Sequence, residues 1–211
     1  MLRPGLLLLT TADRPHTSQL PRAMPTASAS APTSAPPALR DARPDDLRAI
    51  ERLLTASGLP TAGVADVLAR RPADFVVSDD PQAPGELAAV AGLEVCCDDA
   101  LLRSVAVDPA WRAHGLGREL VRRLVCAAEG RGLRALYLLT MTAEHYFPRL
   151  GFARVDRGEV PAEIAATLEF RSACPASAVA MARPLGHPLG APALTGETPA
   201  MAATSPTTPT A

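Results

Sequence analysis

The residues best suited to chemistry lie in one run, Val105-Ala-Val-Asp-Pro-Ala-Trp-Arg112-Ala-His-Gly115-Leu-Gly117-Arg118, where a β-branched strand passes through a glycine turn into an amphipathic helix. The first N–H groups of a helix have no acceptor within it, and the aligned peptide dipoles add partial positive charge there. A helix opening between Gly115 and Arg118 is therefore a cradle for a phosphate or diphosphate. Gly115 and Gly117 let the backbone approach such an anion closely, and Arg112 adds a charge-assisted donor from the side. A dinucleotide-binding reading of the same run fails. It needs a third glycine where this chain has Leu120, and an acidic residue ending the next strand, which here ends in Thr140.

Two charged side chains upstream invite a role beyond cofactor binding. Glu94 stands near the end of an apolar strand, where a carboxylate either serves as a proton acceptor or simply meets solvent. Arg103 lies in Leu101-Leu-Arg-Ser-Val-Ala-Val, and period-two alternation puts it on the same side as Leu101 and Val105. A guanidinium on such a face needs an anion, either a substrate carboxylate gripped by its planar fork or Glu94 or Asp99 from within the chain. His16, His114, His145 and His187 are scattered, and Cys96, Cys97, Cys126 and Cys174 lack paired spacing, so no metal site and no disulfide framework are expected.

These residues must be held by alternating strands and helices. A strand is expected over 38–43, followed by a helix that opens at Pro44-Asp45-Asp46, carries Leu47, Ile50, Leu53 and Leu54 on one face, and stops at Gly58. A short helix over 61–70 comes next, then strands over 74–78, 86–95 and 100–107. The helix after the glycines repeats Leu116, Leu120, Val121, Leu124, Val125 and Ala128 at helical spacing and closes at Gly130. A buried strand over 135–140 leads to a helix capped by Thr142 and running to Leu150. Strands over 152–156 and 178–183 flank an insertion, 161–172, with helical spacing at Ile164, Leu168 and Phe170.

Composition limits the remainder. Of 211 residues, 47% are hydrophobic, which suits one domain over 38–185 with tails of 1–37 and 186–211. Both tails are rich in Pro, Ser, Thr and Ala without a periodic apolar face, and are expected to be disordered. The leucine patch near the start is too short for an export signal, and Met24 is an alternative start. The 21 basic residues are all arginine and the net charge is −1, so neither nucleic acid nor a membrane is expected as a partner. A cytoplasmic location follows as the expectation.

The spacing Arg-x-x-Gly-x-Gly after Val-x-Val-x-Pro resembles the acetyl-CoA loop of the GNAT superfamily of N-acetyltransferases, and the order of elements resembles that fold: α/β (α+β), a mixed sheet of six to seven strands flanked by helices. The resemblance implies acetyl-CoA as co-substrate and a small-molecule amine as acceptor, with a homodimer as one assembly. It assigns the diphosphate to Arg112 and the amides of Ala113, His114, Gly115, Leu116, Gly117 and Arg118, and pantetheine to the strand backbone at Val105, Ala106 and Val107. Glu94 would handle the amine proton and Arg103 would orient an acceptor carboxylate. The family's proton-donating tyrosine falls at Phe147, while Tyr146, one residue earlier, is read as a packing residue or a displaced acid. Leu-Arg-Ser-Val-Ala-Val is similar to acetyltransferases of small amino acids. The stretch Val160 to Ala178, with Gly92-Leu-Glu94, resembles a subgroup associated with arsenic resistance that acetylates amino-acid-like toxins. A non-catalytic acetyl-CoA sensor and a protein N-acetyltransferase are the alternatives.

Overall fold

Pro44 fixes φ for a first 3-10 turn, Pro44–Asp46, and the Asp46 carboxylate accepts from the Arg43 amide at 2.7 Å, so the chain turns directly into helix α1, Leu47–Ala56. Ala49, Ile50, Leu53 and Leu54 form its buried stripe, and Gly58 at φ 67° ends it. The structure, a computed structural model, describes residues 35–173 and 177–186. Most of both expected tails, Met24 and Cys174 therefore lie outside the described residues.

Strands β1 (Leu39–Asp41), β2 (Phe75–Asp79), β3 (Leu87–Cys96), β4 (Asp99–Val107), β5 (Ala135–Thr140), β6 (Ala153–Arg154) and β7 (Val179–Pro184) form one sheet in the order β1-β2-β3-β4-β5-β7-β6. The other α-helices among the described residues are α2 (Val64–Arg70), α3 (Leu116–Gly130) and α4 (Ala162–Ala165). Helix α1 joins Val64, Val67, Phe75, Val77, Val90 and Ala106 in one core, while α3 packs on Val76, Ala89, Ala91, Leu93 and Leu102 in another. Alternate residues of β2 and β3 thus serve opposite cores, as a sheet covered on both faces requires.

Two irregularities position the site. The pair β4–β5 is parallel and bonded only from Asp99↔Ala135 to Leu101↔Tyr137, after which the two strands have no register with each other. The β3–β4 register shifts between Val90 and Gly92, where the pairing passes from Ala106 to Arg103, so β4 carries one extra residue, and Ser104 in that bulge has φ 57°. A non-glycine residue in the left-handed region is strained by roughly 1–2 kcal/mol, and such strain collects at functional sites.

The expected helix over 142–150 is corrected. Its only helical residues are the 3-10 turn Phe147–Leu150, and the polar cap is Thr140, whose hydroxyl accepts from the Ala143 amide at 3.0 Å, in place of Thr142. Pro148 explains this, since it supplies no amide and its ring opposes a continuing α-helix. Likewise β6 is two residues long where five were expected, and the insertion folds as α4 followed by a π-helical turn, Glu169–Ala173.

Gly92 pairs directly with Phe75, and a Cβ there would lie 2.4 Å from the Phe75 ring, which is fully buried. Gly92→Ala is therefore expected to lose about 1–3 kcal/mol of stability in urea unfolding. Phe75→Leu in the same chain should return part of that loss. Additive losses would show that the ring is not what excludes the methyl group.

Candidate active site

Where β4 and β5 part, a cavity of about 1010 Å³ opens, large enough for a cofactor-sized molecule. Its walls are the divergent ends of the two strands, the loop into α3, and the turn after α1 at Leu59 and Pro60. Beyond Leu101 the edge of β4 that faces β5 has no strand partner among the described residues, so its backbone polar groups, apart from the Val107 carbonyl that accepts from Arg112, are available to an extended ligand, as in strand addition.

The cradle is built by the loop itself. The Asp108 carboxylate accepts from the Ala110 amide at 2.8 Å and holds the 3-10 turn Pro109–Trp111, after which Arg112 is extended. Ala113 at φ 66° and Gly115 at φ 83° then place left-handed residues on either side of His114. Successive amides in such turns converge into an anion-binding concavity. Gly115 is the N-cap of α3 and has no side chain with which to cap it, so the first amides of α3 are left for a ligand. Arg112, Ala113, Gly115, Leu116, Gly117 and Arg118 all line the cavity.

Gly117 admits a neighbour. A Cβ there would lie 2.9 Å from the Tyr146 hydroxyl, which therefore rests against the start of α3 beside Val107. Burial pushes the Tyr146 phenol above its ordinary pKa, so it stays protonated at neutral pH. Phe147 packs in the core, edge-on to Phe152, and also lines the cavity. Tyr146 stands just before the 3-10 turn, so its one-residue displacement from the family's tyrosine position is not a step along an α-helix.

Val105 and Val107 line the cavity, as expected; Ala106 and His114 do not. Ala106 alternates to the other face and packs in the α1 core. The His114 ring Nδ1 lies 2.8 Å from the Arg112 carbonyl, and the ring stands edge-on to Trp111.

Arg103 is fully buried and internally paired. One terminal nitrogen donates to Glu94 at 2.6 Å; the other donates to the Ala62 carbonyl at 2.5 Å and lies 3.0 Å from Glu169. This answers the question left open by the strand pattern in favour of an internal partner, Glu94, and adds one the sequence did not offer. Glu94 is itself only 13% exposed, is further approached by Arg70 at 3.9 Å, and is not part of the cavity wall. The reading of a solvated strand-end carboxylate is therefore corrected. Glu169 does line the cavity, and burial raises its carboxyl above the usual range while Arg103 opposes the shift. Sequence reasoning missed it because an acid in an irregular insertion has no periodicity to mark it. Among the described residues no His, Cys, Asp and Glu cluster that would hold a metal is found.

Comparison with known proteins decides the family. Residues 72–154 match the model of the acetyltransferase (GNAT) domain, a span that holds the cradle and the β4–β5 divergence. Over 136 residues the chain is 32% identical to an amino-acid acetyltransferase of Mycobacterium tuberculosis, covering 63% of this chain and 78% of that protein. The chain belongs to the GNAT acetyltransferase family. It is an acyltransferase, and the acyl donor of GNAT enzymes is acetyl-CoA. A GNAT relative of Escherichia coli, the ribosomal protein bS18-alanine N-acetyltransferase, is 43% identical over 54 residues, which are 26% of this chain and 36% of that one. A Pseudomonas aeruginosa amino-acid acetyltransferase is 36% identical over 70 residues, 33% of this chain and 16% of its own length. Among solved structures, a Mycobacterium tuberculosis protein in complex with CoA superposes with a TM-score of 0.58 at 27% identity, over 71% of this chain and all of that one. The seven-stranded mixed sheet is thus the GNAT fold.

Proposed function

We propose that this enzyme acetylates the amino group of a small amino acid or an amino-acid-like toxin, in the cytoplasm. The observation that carries the reading is one cavity lined both by the anion cradle and by the Arg103–Glu169 pair. Acetyl-CoA brings an activated thioester; the chain supplies everything that holds and orients it. In this reading Arg112 and the amides of 113–118 bind the diphosphate, and the open edge of β4 at Val105 and Val107 pairs with the pantetheine arm. The bulge at Ser104 turns a strand amide toward the thioester oxygen, where a fixed dipole stabilises the charge that develops on attack.

The names of the relatives from Mycobacterium and Pseudomonas support an amino-acid acceptor, and the likeness to the arsenic-resistance subgroup extends it to arsenical or phosphinic analogues. The Escherichia coli relative favours a second reading, an N-terminal alanine of a protein, through the shorter match. Thiol release from acetyl-CoA tests both, using the L-amino acids, their amides, a phosphinic analogue of glutamate and an alanine-initiated peptide. Turnover with a free amino acid or analogue at least tenfold above the peptide is expected. Turnover confined to the peptide would overturn the small-molecule acceptor, and turnover with none would favour a cofactor-binding module without catalysis.

A further inference from the structure

Glu169 is the one carboxylate among the described residues that line the cavity, and it is only 6% exposed. It is delivered by a turn that the rest of the molecule holds in place. The Phe170 amide donates to the Thr167 hydroxyl at 3.3 Å, the Arg157 guanidinium lies 4.5 Å from the centre of the Phe170 ring, and Arg157 donates to the Phe170 and Ala178 carbonyls at 3.2 and 3.1 Å. Glu169 sits 3.0 Å from Arg103, the neighbour of the strained Ser104, and all three line the cavity.

The charges there are unevenly matched. Arg103 offers one positive charge to two carboxylates, Glu94 at 2.6 Å and Glu169 at 3.0 Å, and Arg70 reaches only Glu94, at 3.9 Å from an exposed position. Glu169 is thus the carboxylate with the less cationic support, and it faces the cavity. An ammonium group is the ligand chemistry that completes such an arrangement.

We propose that Glu169, rather than Glu94, binds the acceptor's ammonium and is the base that takes its proton. This rests on the acetyltransferase reading above and names the acceptor side of that same site. The ammonium gives one proton to the Glu169 carboxylate, and the freed lone pair attacks the thioester carbonyl carbon. The new C–N bond forms as the C–S bond breaks, the departing sulfur takes the second N–H proton, and Glu169 releases its own proton to solvent through the cavity mouth. One acetyl group moves, and one proton is lost overall. A carboxyl that burial holds above its ordinary range, with Arg103 opposing the shift, is a stronger base than an exposed glutamate and better matched to this exchange.

The test uses Glu169→Gln and Glu169→Asp in the full chain, with the L-amino acids and their amides as acceptors. Acetyl-CoA affinity is followed separately through the fluorescence of Trp111, the only tryptophan, which is buried in the cavity wall. For Glu169→Gln, kcat/KM is expected to fall by about 100-fold or more at neutral pH and to recover as pH rises and unprotonated amine accumulates, with acetyl-CoA affinity within twofold of the wild type. Glu169→Asp should keep the wild-type pH profile at reduced rate. A Gln variant within threefold of the wild type, or one whose lost activity follows lost cofactor binding and a lowered Tm, makes Glu169 a counter-ion and overturns the proposal, as would failure of both variants to fold. If the wild type acetylates nothing in the set, it is the acetyltransferase reading that fails first.

Discussion

Arg103→Met is expected to cost this protein about 3–5 kcal/mol of stability, seen as a Tm lower by about 6–20 °C. The side chain is apolar and of similar length, so little packing volume is lost. What is lost is the one guanidinium among the described residues that reaches both Glu94 and Glu169, each less than 14% exposed, together with the donor to the Ala62 carbonyl. Removing one partner of a buried ion pair leaves a desolvated charge behind, which costs far more than the pair contributes against an apolar replacement. Glu169 softens the effect by taking a proton. Its folded pKa is raised, so it binds a proton more tightly in the native state, and any destabilisation from its charge is present above the folded pKa and relieved as pH falls through it. The loss should therefore be larger at pH 8 than at pH 5. Adding Glu94→Gln and Glu169→Gln to Arg103→Met should restore at least half of it, and a loss below about 1 kcal/mol for the single variant would mean that the network is not a load on the fold.

Arg112→Glu is expected to weaken acetyl-CoA binding by about 100-fold or more while leaving Tm within a few degrees. A charge-assisted hydrogen bond contributes about 1.5–3 kcal/mol, and a carboxylate set beside a diphosphate adds repulsion; each 1.4 kcal/mol is about tenfold in Kd. Arg112 is exposed, and its contact within the fold is one donor to the Val107 carbonyl at 3.2 Å, which is why folding should tolerate the change. Arg112→Ala should show about a tenfold loss, and added salt should narrow the gap between the two variants. Titration of Trp111 fluorescence measures both. An unchanged Kd for the glutamate variant would remove the side chain from the diphosphate site.

How much of this was legible in the chain depended on whether a residue announces itself by period or by contact. Strand β5 and the buried face of α3 follow from alternation and helical spacing, and both formed where expected because their neighbours ask for the same pattern. The cradle was legible because glycines mark it. The bulge at Ser104 was not, since no glycine stands there and its backbone is forced by the β3–β4 register. Around Tyr146 the expected helix misled, because Pro148 converts the segment to a 3-10 turn, and the phenol meets the cavity beside Phe147. Arg103 was legible as a problem, a charge on a buried face, with Glu94 among its possible answers. Glu169 was invisible because only the folded chain brings the insertion onto β4.

The most direct measurement compares the binding of acetyl-CoA with that of S-acetylpantetheine to the wild-type chain by calorimetry, since the two share the thioester arm and differ in the diphosphate and nucleotide. If the amides of 113–118 and Arg112 hold the diphosphate, acetyl-CoA should bind at least about 100-fold more tightly, and inorganic pyrophosphate should compete with it. Equal affinity for the two, with no effect of pyrophosphate, would contradict the cradle and the acetyl-CoA site built upon it.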